Sequence, residues 1–308
     1  MTFLAFHEDE ARAQALAGYQ RPGRVAIRPF MPDQHREFFA LLPYLFVATP
    51  GANGWPMASV LAGEPGFVQS PDPATLSIGA LPAADDPATP TFIAGTEIGL
   101  LGLDFTTRRR NRANGRLVAI DAAIDKGGLT VAIAQSFGNC AQYIQTRTPA
   151  PRAAAGAPVE RLDRLDDAAR ALIAASDTFF VASRSRGGIE GGGLDMSHRG
   201  GRPGFVDVMG DTLAIPDFRG NRFYNTLGNL LGDPRAGLLF IDFASGDILQ
   251  LQGRAAIDWH PEGNGPAGAE RLSRVEIARA WRRRGAFPFT WRFGDFAPTT
   301  LATGIWRG

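Results

Sequence analysis

Short strand-like segments recur in this chain at one spacing, and that narrows the folds open to it. Pro65-Gly66-Phe67-Val68 returns 138 positions later as Pro203-Gly204-Phe205-Val206. At the same offset Ser59 falls on Ser197, Gly99-Leu100-Leu101 on Gly237-Leu238-Leu239, Asp104-Phe105 on Asp242-Phe243, and Gly115-Arg116 on Gly253-Arg254. Val131–Phe137 matches Val275–Trp281 at a slightly larger offset, and Phe46–Thr49 matches Phe180–Ser183 at a slightly smaller one. A spacing held across several strands points to one module written twice. Each copy reads as about six short strands with Gly and Pro turns, and one or two helices. That count favours a small closed barrel over an open sheet. Two such copies are expected to pack as an internal pseudo-dimer, as isologous homodimers do.

Taken in order, the chain opens with an expected helix from His7 to Tyr19, with Leu4, Ala11, Ala15 and Leu16 as a rough apolar stripe. A second helix is capped by Asp33. Both read as peripheral. Tyr44–Thr49, Ile98–Phe105 and Thr178–Ser183 are buried strands. Gly115–Ile124 and Leu129–Phe137 are strands joined by a turn at Lys126. Thr106–Gly115 reads as a basic loop, and Gly138–Arg147 as a short helix. Thr148–Pro158 has linker composition. The expected division is a first barrel with its leading helices over 1–147, a linker over 148–164 and a second barrel over 165–308.

Composition excludes several classes of chemistry. With a net charge of +1, no global field calls for nucleic acid or an anionic membrane. Cys140 is the single cysteine, which rules out an intrachain disulfide and any multi-cysteine zinc or iron–sulfur site. Lys126 is the single lysine, so Schiff-base lysine chemistry is discounted. His7, His35, His198 and His260 show no metal-ligand spacing, and no metal is expected. No apolar run has the length of a membrane span and no signal-peptide pattern is present, so the cytoplasm is the expected compartment. Gly187–Gly193 follows one strand and leads into another, which makes it a hairpin loop and not a dinucleotide fingerprint. The basic runs Arg108–Arg112 and Arg282–Arg284 read as solvated or phosphate-facing loops.

The strongest candidate site is Pro216–Leu231. A strand ends at Pro216, and Gly220-Asn221 opens a helix with Phe223, Leu227 and Leu230 on one face. Free N–H groups and the dipole at a helix start favour an anion. Arg219 and Arg222 add charge in a geometry suited to phosphate, and Asn221 and Asn225 add neutral donors. The competing reading is plain capping by Asn221. The corresponding stretch of the first copy holds Asp85, Asp86 and Glu97 and no Arg, Lys or Asn, so only the second copy is expected to hold a phosphate.

The runs SFGNCAQYIQ, RGGRPGFV, IPDFRGNRFYNTLGNLL, DPRAGLLFIDF and GDILQLQGRA resemble the flavin-nucleotide-binding proteins related to pyridoxamine 5'-phosphate oxidase. The resemblance covers most of Phe39–Trp306. It implies a mainly β fold with peripheral helices: tandem split β-barrels of the FMN-binding type, with flavin at their interface. It places the strand carrying Ser197, His198 and Arg199 along the isoalloxazine ring, and the segment from Pro216 and Asp217 to Arg222 at the FMN phosphate. Gly220-Asn221-Arg222 stands where the oxidase has a Ser-Arg-Lys run. The residues with which the oxidase grips pyridoxal phosphate are not recognisable, so vitamin B6 oxidation is not implied. Asn139, Gln142 and Tyr143 of the first copy, with Arg110 or Arg112, are expected to contact flavin held by the second. The implied function is that of an FMN-dependent oxidoreductase binding one FMN per chain. The alternatives are a flavin carrier served by a reductase or NAD(P)H, or a barrel binding deazaflavin or haem, the last with His198 or Cys140 as axial ligand. A monomer with an internal pseudo-dimer and a homodimer are both compatible with the sequence.

Overall fold

The computed structural model describes residues 3–19, 25–121, 127–154 and 157–306; Lys126 and its turn lie outside them. The first half contains helices α1 (Glu8–Leu16) and α2 (Asp33–Ala40). Its strands are β1 (Tyr44–Pro50), β2 (Pro56–Ala62), β3 (Val68–Asp72), β4 (Thr75–Ile78), β5 (Glu97–Asp104), β6 (Arg109–Asp121), β7 (Gly128–Asn139) and β8 (Arg147–Pro151). The second half contains β9 (Glu160–Leu162), α3 (Asp167–Ala175), β10 (Thr178–Arg184), β11 (Leu194–Gly200), β12 (Asp207–Met209) and β13 (Thr212–Phe218). It continues through α4 (Asn225–Gly232), β14 (Arg235–Ile241), β15 (Ile248–Asp258), β16 (Ala269–Arg283), β17 (Phe289–Phe293) and α5 (Pro298–Leu301). No helix is long and apolar enough to cross a membrane among the described residues.

The strand order is β2-β1-β5-β6-β7-β4-β3 in the first sheet and β11-β10-β14-β15-β16-β13-β12 in the second, the same order position by position. The fold is mainly β, of the split-barrel type with peripheral helices. The expected closed barrels are not formed, because neither ladder returns to its first strand. The edge strands β2 and β11 pack instead against the opposite half. A Cβ on Gly99 of β5 would lie 2.6 Å from the Leu194 carbonyl oxygen of β11, and one on Gly237 of β14 would lie 2.6 Å from that of Pro56 on β2. Glycine at both repeat-related positions lets the two backbones approach.

β1 and β10 read as unbroken apolar runs because each faces apolar partners on both sides. Leu45 and Val47 belong to the first half's core, and Phe179 and Val181 to the second's. The alternate residues Phe46, Ala48, Phe180 and Ala182 form a third core between the halves, with Tyr44, Phe287 and Phe289. Strand alternation sends successive side chains to opposite faces, so one sequence serves both cores.

Four local expectations are corrected. The helix α1 is not peripheral and has no apolar stripe on the protein: Leu16 is exposed, and Asp9, Glu10, Ala13 and Gln14 are buried against α4. Arg109–Gly115 is not a loop but part of β6, with Asn111, Arg112 and Asn114 buried. Gly138–Arg147 is not helical. Tyr143 has φ 63°, and arginine side chains take the Cys140 and Ile144 carbonyls that a helix would need. The stretch expected as linker contributes two strands, β8 paired with β17 and β9 paired with β16.

Candidate functional site

A cleft opens where β6 of the first sheet faces β11 and β13 of the second. Arg110 and Arg112 are two residues apart on a strand, so they share a face. Arg110 donates from Nη1 to His198 Nδ1 at 2.9 Å and from Nε to the Cys140 carbonyl at 2.8 Å. Arg112 donates to Ser197 Oγ at 2.5 Å, and to Asp195 Oδ1 and Asn225 Oδ1 at 3.3 Å each. Burial pulls the Arg112 guanidinium down to about 10, with Asp195 opposing, and it stays cationic at neutral pH.

The inner end of the cleft is built for an anion. Arg112, Arg199, Arg222 and Arg271 line one small pocket with Asp217, four guanidinium groups against one carboxylate. Asp217 accepts from Arg271 at 2.9 Å and lies 3.6 Å from Arg199. The same pocket includes the first turn of α4. First-turn amides have no intrahelical acceptors, and Tyr224 at the N-cap supplies no side-chain bond to them.

That helix starts later than the sequence suggests. β13 runs through Phe218, and Gly220-Asn221 lies in the loop before α4. Arg222 and Tyr224 have φ of 63° and 59°, which no α-helix accommodates. Asn221 therefore does not cap the helix; its Oδ1 accepts from the Phe223 N–H at 3.1 Å and closes the loop. Arg219 is exposed and lines neither end of the cleft, though its carbonyl accepts from the Tyr143 hydroxyl at 2.9 Å. Asn225 is buried between Arg112 and Glu10.

The outer end gathers Asn139, Gln142, Tyr143, His198, Arg199 and Pro216. Asn139 and Asn221, from the two halves, are joined at 2.9 Å. His198 is 4% exposed, and burial followed by Arg110 and Arg199 pushes its imidazole well below the usual range, so it is neutral. Its Nδ1 accepts from Arg110, which puts the proton on Nε2. That Nε2 is buried without an acceptor, as are Asn139 Nδ2 and Arg112 Nε. A haem iron would need the lone pair that Nε2 lacks in this tautomer. Ser197 is buried behind the cleft and holds Arg112 and Thr226. Gln142 Oε1 lies 3.6 Å from the Cys140 thiol.

Ladder register identifies the counterpart of this cleft. Leu101 pairs with Arg112 as Leu239 pairs with Gln250, and Leu103 with Arg110 as Ile241 with Ile248. Phe46 pairs with Val60 as Phe180 with His198, and Leu45 with Leu61 as Phe179 with Arg199. Arg110, Arg112, His198 and Arg199 are thus replaced by Ile248, Gln250, Val60 and Leu61. Arg283, at the position of Asn139, bonds Asp85 at 2.7 Å and Asp86 at 3.1 Å, and Gln250 and Ser59 also donate to Asp86. The counterpart's inner end is filled by this cluster.

Arg271 and Glu10 were not legible as site residues. Arg271 sits in an ordinary alternating strand and is marked only by its ladder partner, Asp217.

Residues 165–283 match the family model described as pyridoxamine 5'-phosphate oxidase. A search of the curated proteins finds no match. Among solved structures, the chain is similar to HupZ from Group A Streptococcus, at 13% identity and TM-score 0.28, over 35% of this chain and 93% of that one. A putative pyridoxamine 5'-phosphate oxidase from Lactobacillus delbrueckii gives 15% identity and TM-score 0.29, over 36% and 95%. An FAD-binding protein from Mesorhizobium loti gives 11% identity and TM-score 0.28, over 41% and 97%. The residues that match the family model are those of the second half.

Proposed function

We propose that the chain, whose residues 165–283 match the pyridoxamine 5'-phosphate oxidase family model, is a split-barrel relative of that family and binds one flavin mononucleotide in the cleft between its two halves. The observation that carries this reading is the contrast between the two register-equivalent clefts. One presents four arginines and a helix start at its inner end, and buried N–H donors without acceptors at its outer end. The other has Ile248, Val60 and Leu61 in place of Arg110, His198 and Arg199, and there Arg283 is paired with Asp85 and Asp86. A phosphate dianion meets charge and first-turn amides in the first cleft. The carbonyl and ring-nitrogen acceptors of an isoalloxazine suit His198 Nε2 and Asn139 Nδ2, whose burial unpaired is otherwise costly. The mononucleotide is preferred over riboflavin because four guanidinium groups line the inner end against the single carboxylate of Asp217.

The asymmetry also supports a duplicated module in which one copy kept the nucleotide site, with the halves 1–147 and 165–308 as its two copies. When bound, the flavin supplies hydride or single-electron chemistry. The chain's own groups hold and orient it: Arg112, Arg199, Arg222 and Arg271 at the phosphate, and His198 and Asn139 at the ring. The two ends of the cleft enclose about 70 and 60 Å3, less than a fused three-ring system fills. Binding therefore requires the cleft to widen. We assign the protein as an FMN-dependent oxidoreductase served by a nicotinamide nucleotide or a reductase. An absorption spectrum of the purified protein, followed by anaerobic NADH and NADPH additions, tests this. Flavin bands that bleach with a nicotinamide nucleotide, or with a reductase added, support it. A haem spectrum, or failure of stripped protein to take up FMN, refutes it.

A further inference from the structure

A second cavity lies on the far side of Asp195 from the cleft, and its chemistry is the reverse. It encloses about 260 Å3 between the start of α1, the first sheet and the glycine loop that precedes β11. The carboxyl groups of Glu10, Glu97, Glu190 and Asp195 line it against one guanidinium, that of Arg116. Arg116 is held to the Gly95 carbonyl at 2.7 Å and to Glu97 at 3.3 Å.

The decisive group is Asn114, 8% exposed on β6. Its Nδ2 donates to Asp195 Oδ1 at 2.7 Å and to Gln135 Oε1 at 3.3 Å, which fixes the amide's orientation. The Oδ1 on its other side is a buried acceptor without a donor, and Asn114 lines the cavity. Where the cleft lacks acceptors, this cavity lacks a donor.

We propose that the cavity is a second binding site, for a small organic cation carrying N–H donors, an ammonium or amidinium compound. One N–H meets Asn114 Oδ1, and the positive charge lies among the surrounding carboxyl groups. An apolar cavity of about 150 Å3 takes benzene, so 260 Å3 suits a molecule of roughly ten non-hydrogen atoms. The balance of buried charge agrees. Glu10 and Asp195 share Arg112 as their cation, and burial, then Asp195, pushes the Glu10 carboxyl up to about 8. At neutral pH Glu10 therefore keeps its proton, and a bound cation would favour its ionised form. The proposal stands apart from the flavin reading, because the two sites share no ligand.

Calorimetric titration with benzylamine at neutral pH, with benzyl alcohol as the uncharged control, tests the site. The expected result is saturable one-to-one binding of benzylamine, with benzyl alcohol at least about tenfold weaker, a difference of about 1.4 kcal/mol. Asn114→Leu should weaken benzylamine by a similar factor. Ala134→Trp, at the cavity rim, fills the space without touching the buried network and should do the same if Asn114→Leu does not fold. Absent saturation, equal affinity for the alcohol, or unchanged binding in the folded variants overturns the proposal and leaves the cavity to water.

Discussion

Phe46 and Phe180, register-equivalent residues of the two halves, stack on each other with ring centroids 3.7 Å apart and planes 19° apart. Equivalent residues meet in this way only on or near a two-fold axis. The axis relates two positions of equivalent ladder register, and their side chains differ: Arg112 and His198 at one, Gln250 and Val60 at the other.

Close packing of the halves depends on glycine at 99 and 237. Gly99→Ala puts a methyl 2.6 Å from the Leu194 carbonyl oxygen, and that contact is with backbone. The expected loss is about 1–3 kcal/mol, the usual cost of overpacking, read as a lower midpoint in urea unfolding. Gly187→Ala, where an added Cβ meets nothing within 4 Å, should stay within about 0.5 kcal/mol of the parent.

Arg222 faces the anion pocket and packs its guanidinium 4.1 Å over the Tyr19 ring. Losing one charged hydrogen bond costs about 1.5–3 kcal/mol, roughly one to two decades of affinity. Arg222→Ala should raise the FMN dissociation constant by that much. Asp85→Ala, in the closed counterpart, should leave it nearly unchanged. Fluorescence titration of stripped protein reads both.

At the outer end, His198→Phe keeps the ring volume and removes the unpaired N–H. Flavin binding should weaken about tenfold. Substituting Asn139 and Gln142 by Ala should weaken it as well, with thermal unfolding still cooperative. Unchanged affinity in the Asn139 and Gln142 variants would remove those first-half residues from the site, and an unchanged His198→Phe would remove the imidazole.

The repeat offset, the apolar strands and the placement of Asn139, Tyr143, His198 and Arg199 at one cleft were legible in the sequence. Strand period and glycine spacing are local properties, and they survive tertiary packing. Other features were not legible because contacts distant in sequence decide them. The start of α4 at Asn225 follows from positive φ at Arg222 and Tyr224, and neither residue type signals it. The polar face of α1 is buried because α4 offers Asn225, Asn229 and a close approach at Gly228, where a Cβ would lie 2.5 Å from the Glu10 Cα. Arg110 and Arg112 read as part of a solvated or phosphate-facing loop and not of a strand. Only pairing across β5 and β7 shows that they face β11.

The buried Glu10 gives stability a pH dependence of defined sign. Its carboxyl is raised from 4.5 to about 8 in the folded protein, by burial first and Asp195 second. Between those values the folded state keeps a proton that the unfolded state has lost, so this group makes stability fall as pH rises. Below 4.5 and above about 8 its contribution is flat. Glu10→Gln should remove that fall. Urea unfolding of parent and variant across this range checks it, and parallel curves would show that Glu10 ionises normally.

The central claim, one phosphate-bearing flavin in one of two equivalent clefts, is tested most directly by calorimetric titration of stripped protein with FMN and with riboflavin. The predicted result is one FMN per chain, with riboflavin weaker by at least about tenfold because the arginine pocket then meets no phosphate. Two FMN per chain, or riboflavin bound as tightly as FMN, would contradict it.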